Sequence, residues 1–81
     1  MSLKLKVLSP EGSLLEVSTD SVRLPAIDGS LGVMPGHQPM LLALTAGEVI
    51  YRAGSDMKRL AIPGGLAQVD GQSVTVLADA Q

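Results

Sequence analysis

The chain has 81 residues, a mass of 8.3 kDa, no cysteine, one histidine and one aromatic residue, Tyr51. This length predicts a single domain, residues 1–81, with a modest core. The absence of cysteine excludes disulfide scaffolds, thiolate zinc sites and thiol nucleophiles. A net charge of -2, without Phe or Trp to stack on bases, argues against nucleic acid as a partner.

Apolar residues make up 46% of the chain, which is too many for a disordered protein. The longest apolar run, residues 40–44, is far shorter than the roughly 20 residues that cross a bilayer. The first residues lack the pattern of a signal peptide, because Lys4 and Lys6 interrupt the apolar positions. The sequence therefore predicts a folded, soluble chain.

The first half of the chain reads as strands separated by turns. Leu3, Leu5 and Val7 alternate with lysines, which predicts a strand with one apolar face. Residues 9–12 have turn chemistry, and the extended pattern continues over residues 13–17 and 21–24 until Pro25, which we expect to end it.

The next segment contains the strongest hairpin signal of the chain, the pair Asp28-Gly29. A short strand is predicted over residues 31–34, before Pro35 and Gly36 stop it. Residues 40–45 form the most apolar stretch, and we expect them to be the most buried strand.

Four more short strands are predicted over residues 48–53, 57–62, 66–69 and 72–77. Gly and Pro recur too often to leave room for a helix of ten residues. The fold class is therefore all-β: a small two-sheet β-sandwich of about ten short, mostly antiparallel strands. Leu42 and Val76 are expected in its core.

No set of residues in the sequence predicts an active site. His37 has no nucleophile elbow and no second imidazole or thiolate to accompany it, so neither a catalytic triad nor a metal site is indicated. The aspartates fall mostly at predicted turns, where their carboxylates cap backbone N–H groups. We predict no catalytic residue, no cofactor and no metal.

Two features suggest binding instead of catalysis. Asp56-Met57-Lys58 at a predicted hairpin resembles the modified-lysine motif of lipoyl and biotinyl carrier domains, although only half of that motif is present. The loop around residues 34–39 is rich in Gly and Pro and unusually apolar, and Met34 is its candidate docking side chain. On pattern alone, Leu31 and Val33 fit core positions of a short strand.

Four segments carry a more specific resemblance, to the N-terminal β-sandwich of the epsilon subunit of F-type ATP synthases. They occur in the order and spacing of that family, over the whole chain: residues 5–12 (LKVLSPEG), 28–41 (DGSLGVMPGHQPML), 62–69 (IPGGLAQV) and 74–79 (VTVLAD).

The resemblance implies a non-catalytic subunit of the central stalk, which turns with the gamma subunit and the membrane c-ring of a proton-translocating synthase. It places the loop Asp28, Gly29, Ser30 and Leu31 against the c-ring. Ser9 and His37, together with the candidate docking residue Met34, are then predicted to contact the gamma subunit. Ser30 departs from the family, in which an acidic residue is common at this position.

The same resemblance implies a peripheral location on the cytoplasmic face of a bacterial inner membrane, in preference to a plastid, with membrane association only through the complex. The C-terminal helical hairpin of many family members is not expected within residues 1–81. Two alternatives stay open from the residues alone: a carrier domain modified at Lys58, and an unassigned β-sandwich binding module.

Overall fold

A computed structural model of the chain describes residues 2–80 and contains nine strands in that range. They are β1 (Leu3–Ser9), β2 (Gly12–Thr19), β3 (Val22–Ala26), β4 (Gly29–Val33), β5 (Met40–Leu44), β6 (Gly47–Ala53), β7 (Asp56–Ile62), β8 (Gly65–Val69) and β9 (Ser73–Ala78).

The strands form one hydrogen-bonded sheet that curls into two layers. The first layer has the order β2-β1-β9-β8-β5. In the second layer β3 is central, with β4 on one side and β6 followed by β7 on the other. A single residue pair, Ala26 and Leu44, joins β3 to β5 where the sheet turns from one layer into the other. Every pairing is antiparallel except that of β1 with β9. The all-β sandwich predicted from the sequence is confirmed.

The core lies between the layers and is built from alternate residues of the strands, with β2 and β7 contributing least. The predicted alternation of β1 is confirmed, because its apolar face is fully buried and its lysines point outward. Val76 is fully buried, as expected, whereas Leu42 is half-buried and packs at the margin of the core. The largest side chains with almost no exposed surface are Leu3, Leu5, Val7, Val22, Leu24, Val33, Val49, Val69, Val74 and Val76.

The prediction that residues 40–45 form the most buried strand is wrong. β5 lies at the edge of the first layer: it pairs along its length with β8, but with β3 at only one position. Met40 and Leu41 are exposed, and only Leu44 is buried. An apolar composition does not determine burial where one face and one edge of a strand have no neighbour in the fold.

Pro25 does not end its strand, contrary to the prediction. β3 continues through Pro25 to Ala26, and the Pro25 carbonyl accepts a hydrogen bond from the Thr45 N–H at 2.8 Å. β3 pairs with β6 at Val22 and Arg23 and with β5 at Ala26, and Pro25 lies between these two pairings. Its ring nitrogen, which cannot donate a hydrogen bond, is therefore at a position where the sheet needs no donor. A Cβ on Gly47 would lie 2.8 Å from the Pro25 Cβ, so the close approach at this corner requires glycine.

One buried polar residue, Thr19, fastens the two layers together. Its Oγ1 donates to the Arg52 carbonyl of the second layer at 2.7 Å and accepts from the Ser21 N–H at 3.4 Å. The buried Thr19 hydroxyl thus both donates and accepts a hydrogen bond, as buried polar groups require.

Candidate functional site

Residues 2–80 bring no catalytic or metal-binding set of side chains together. No group of three or more acidic or imidazole side chains in that range is placed to hold a metal ion. The His37 Nδ1 lies 2.8 Å from the backbone oxygen of Gln38, its immediate neighbour in the chain. No helix capable of spanning a membrane occurs in the part of the chain that the structure describes.

The carrier hypothesis required Lys58 at the tip of a hairpin, and the structure places it elsewhere. The β6–β7 turn consists of Gly54 and Ser55, and Lys58 is the third residue of β7, paired with Tyr51. In the carrier domains that the motif resembles, the modified lysine is presented on a turn. The position of Lys58 within a strand therefore does not support a carrier.

Asp70 has the capping role that was predicted for the turn aspartates. Its carboxylate accepts the backbone N–H groups of Gln72 and Ser73, each at 2.8 Å. These two bonds favour the ionised form and lower the pKa of the Asp70 carboxyl below its usual value. The carboxylate thus closes the β8–β9 turn.

The four residues predicted to contact the c-ring lie on the β3–β4 hairpin. Gly29 opens β4 with a φ of 125°, a conformation that suits glycine at this turn. Asp28, Gly29 and Ser30 are exposed, and Leu31 is half-buried against the core. Ile27, which precedes them, is 68% exposed, so the tip presents an apolar side chain beside a carboxylate.

Met34 and His37 are brought together in the loop after β4. The His37 N–H donates to the Met34 carbonyl at 3.2 Å, and Met34 is 64% exposed. The loop rests on the β8–β9 turn through a 2.9 Å bond from the Gly36 N–H to the Gly71 carbonyl. These contacts fix the loop on the first layer with the Met34 side chain in solvent.

Ser9 is not adjacent to this loop. Ser9 is the last residue of β1. The Met34–His37 loop packs on the β8–β9 turn, which lies beside the beginning of β1, where the Lys4 N–H donates to the Gln72 carbonyl. Five residues of extended strand separate the two ends, about 17 Å. The Ser9 hydroxyl bonds within its own turn, to the Gly12 carbonyl at 3.2 Å. The three predicted gamma contacts therefore occupy opposite ends of the first layer.

A row of apolar side chains crosses the outer face of the first layer beside Ser9 and was not predicted from the sequence. We call it the leucine row. Its members are successive cross-strand partners: Ala43 on β5, Leu66 (46% exposed) on β8, Leu77 (51% exposed) on β9 and the half-buried Leu8 on β1. Leu41, on the same face of β5, is 70% exposed and points outward nearer the Met34 loop. Such a contiguous exposed apolar surface is typical of a docking site.

A signal for the leucine row was present in the sequence. In β9, Val74 and Val76 alternate with Thr75 and Leu77, so Leu77 occupies a position that a solvated strand face gives to a polar residue. The cross-strand register that aligns it with Leu66 and Leu8 depends on the non-local pairing of β1 with β9. That pairing cannot be deduced from one sequence.

Comparisons with known proteins agree on one family. The sequence profile described as "ATP synthase, Delta/Epsilon chain, beta-sandwich domain" matches residues 2–81. Proteins called ATP synthase epsilon chain are similar in sequence, with 46% identity in Synechococcus sp. (strain WH7803) over 98% of this chain and 45% in Granulibacter bethesdensis over 93%. The chain spans 58% and 56%, respectively, of the length of these curated relatives.

Solved structures share the fold. A chain in the cryo-EM structure of the Euglena gracilis mitochondrial ATP synthase (OSCP/F1/c-ring) superposes with a TM-score of 0.87 at 20% identity, over 95% of this chain and 50% of that one. A chain of the Tetrahymena thermophila mitochondrial ATP synthase (central stalk/c-ring) gives 0.79 at 15% identity, over 99% of this chain and 65% of that one.

Proposed function

The chain belongs to the delta/epsilon-chain β-sandwich family of ATP synthases, and we propose that it is a non-catalytic central-stalk subunit. In this role it docks the gamma subunit to the c-ring of a proton-translocating F-type synthase and turns with both. It acts as a rigid connector, because two close-packed layers resist shear. Residues 1–81 form one domain in this proposal, on the cytoplasmic face of a bacterial inner membrane.

The observation that carries this proposal is the leucine row on the outer face of the first layer. A monomeric domain of this size gains nothing from leaving Leu66 and Leu77 about half exposed, whereas burial of each by a partner contributes stability to the complex. The row ends beside Ser9, and Leu41 extends the apolar face toward the Met34–His37 loop. A single partner lying across this layer therefore reaches all three predicted gamma contacts.

The c-ring contact is assigned to a different surface, the exposed β3–β4 hairpin that contains Asp28 to Leu31. The exposed tip suits a contact with polar loops, while the apolar side chain of Ile27 gives that contact a small buried centre. The two surfaces meet at β5, where the Ile27 N–H donates to the Ala43 carbonyl at 3.2 Å. They can be tested separately at Leu66 and Leu77, which lie one and two strands beyond β5.

The gamma contact can be tested with a matched pair of variants, L77E and M57E. Leu77 and Met57 are both 51% exposed, but Met57 lies on the outer face of the second layer, opposite Arg52. We expect L77E to lose capture by the gamma subunit in a pull-down while its thermal unfolding temperature is nearly unchanged. M57E should retain capture. Equal binding by both variants would contradict the assigned face.

The c-ring contact is tested by I27E at the hairpin tip. This variant should weaken binding to isolated c-ring and leave capture by the gamma subunit intact, because the Ile27 side chain is exposed at the hairpin tip and the exposed leucines of the row, Leu66 and Leu77, lie one and two strands beyond β5. Loss of neither interaction, or loss of both together, would refute the assignment of two separate surfaces.

A further inference from the structure

The outer face of the second layer carries three arginines, and one of them differs from the other two. Arg52 pairs with Asp20 at 3.4 Å, and Arg59 pairs with Glu48 at 3.2 Å. Arg23 forms no ion pair with any carboxylate of residues 2–80. Its positive charge is therefore uncompensated within that range, at a position on the hairpin assigned to the c-ring.

The hairpin holds the Arg23 side chain in a defined place. Arg23 points outward from β3 opposite Gly32 of β4, and its Nη1 donates to the Ser30 Oγ at 3.1 Å. Its Nη2 lies 3.7 Å from the position that a Cβ on residue 32 would occupy, so the guanidinium lies over the glycine. A guanidinium has five N–H donors in a planar fork, and only one is used by Ser30.

We propose that Arg23 is a specificity-determining residue of the ring contact and that the ring loop it meets presents a carboxylate side chain. The inference rests on the proposed function, since the hairpin is the surface assigned to the c-ring. A carboxylate matches the fork of the guanidinium and can accept two of its free N–H groups. Ser30 orients the guanidinium without neutralising it, which leaves the charge available to the partner.

A protein carboxylate fits this site better than the phosphates of a lipid surface. The exposed carboxylate of Asp28 lies on the same hairpin, and the chain has a net charge of -2. Both charges oppose approach to an anionic bilayer, whereas a single loop carboxylate can meet Arg23 without meeting Asp28.

The proposal is tested by measuring the affinity of the chain, assembled with its gamma subunit, for the rotor ring of the same organism at low and high salt. R23Q should bind about two- to fivefold more weakly at low salt, the range found for exposed ion pairs, and should show less salt dependence. S30E should lose a similar amount, because the new carboxylate pairs with Arg23 internally. R59Q is the matched control on the same face and should bind like the wild type.

Rescue identifies the partner group. Replacement of the ring-loop carboxylate by lysine should weaken the wild type and restore binding to R23E. Unchanged or tighter ring binding by R23Q overturns the inference, as does a loss in R23Q that is confined to vesicles containing anionic lipid. If the wild type binds no ring at all, the proposed function fails and this inference fails with it. If R23Q binds the ring like the wild type while I27E binds it more weakly, only the inference is refuted.

Discussion

The most sensitive backbone position in the sandwich is Gly65, at the beginning of β8. Its φ is 145°, and a Cβ there would overlap the backbone oxygen of Leu77 in the neighbouring strand. G65A should cost about 1–3 kcal/mol for the strained φ and a further ~1–3 kcal/mol for the steric overlap with a backbone that cannot move freely. A domain of this length is stable by only about 4–12 kcal/mol. We expect a total loss of about 4 kcal/mol, which lowers Tm by at least about 15 °C.

Two other glycines separate the contributions to this loss. Gly29 has a φ of 125° but open space around its Cβ position, so G29A carries the strain alone. Gly32 has no positive φ and only one ordinary contact, at 3.7 Å, so G32A should change stability by less than about 0.5 kcal/mol. Urea unfolding followed by far-UV circular dichroism suits a chain without tryptophan. The steric reasoning is refuted if G65A costs no more than G29A.

Three further predictions concern the core, the layer junction and a turn. V76A, at a fully buried position, should lose about 2 kcal/mol in the same urea assay. T19V removes the bond to the Arg52 carbonyl and should cost about 1–2 kcal/mol, with faster hydrogen exchange at the junction of β2 and β3 as its local sign. Because folding lowers the pKa of Asp70, its ionised form stabilises the fold at neutral pH, and this contribution is lost as pH falls through the acidic range. The stability difference between wild type and D70N should therefore shrink on acidification, and a pH-independent difference would contradict the capping role.

The local features of this fold could be predicted, and the non-local ones could not. Period-two alternation predicted the buried face of β1, and the Asp28-Gly29 pair predicted the β3–β4 hairpin. Both features depend only on residues close together in the sequence. The burial of β5 was wrongly predicted, since it depends on which strands lie beside it. The separation of Ser9 from His37 likewise follows from strand order, which short-range chemistry does not determine.

The candidate surfaces follow the same division. The hairpin itself follows from a local turn signal, whereas its assignment to the c-ring came from the family resemblance and stays a prediction. The structure exposes Asp28, Gly29 and Ser30 and leaves Leu31 half-buried. The leucine row requires partners from distant segments to be known. Arg23 meets Ser30 within the local hairpin, but that no carboxylate of residues 2–80 pairs with it depends on how the rest of the chain folds. Leu77 is recognised as part of a surface only once Leu66 is known to lie beside it. The charge of Arg23 is recognised as uncompensated only once its hydrogen-bond partner is known to be Ser30 and not a carboxylate.

The parallel pairing of β1 with β9 also determines how the chain must fold. The earliest and the latest of the nine strands in residues 2–80 meet in the middle of the first layer, so β1 has only β2 as a neighbour until residues 73–78 have been synthesised. Topologies with such high contact order fold slowly, in milliseconds to seconds. During that interval the unpaired backbone edge of β1 is open to other nascent chains, and we expect aggregation during biosynthesis to begin there.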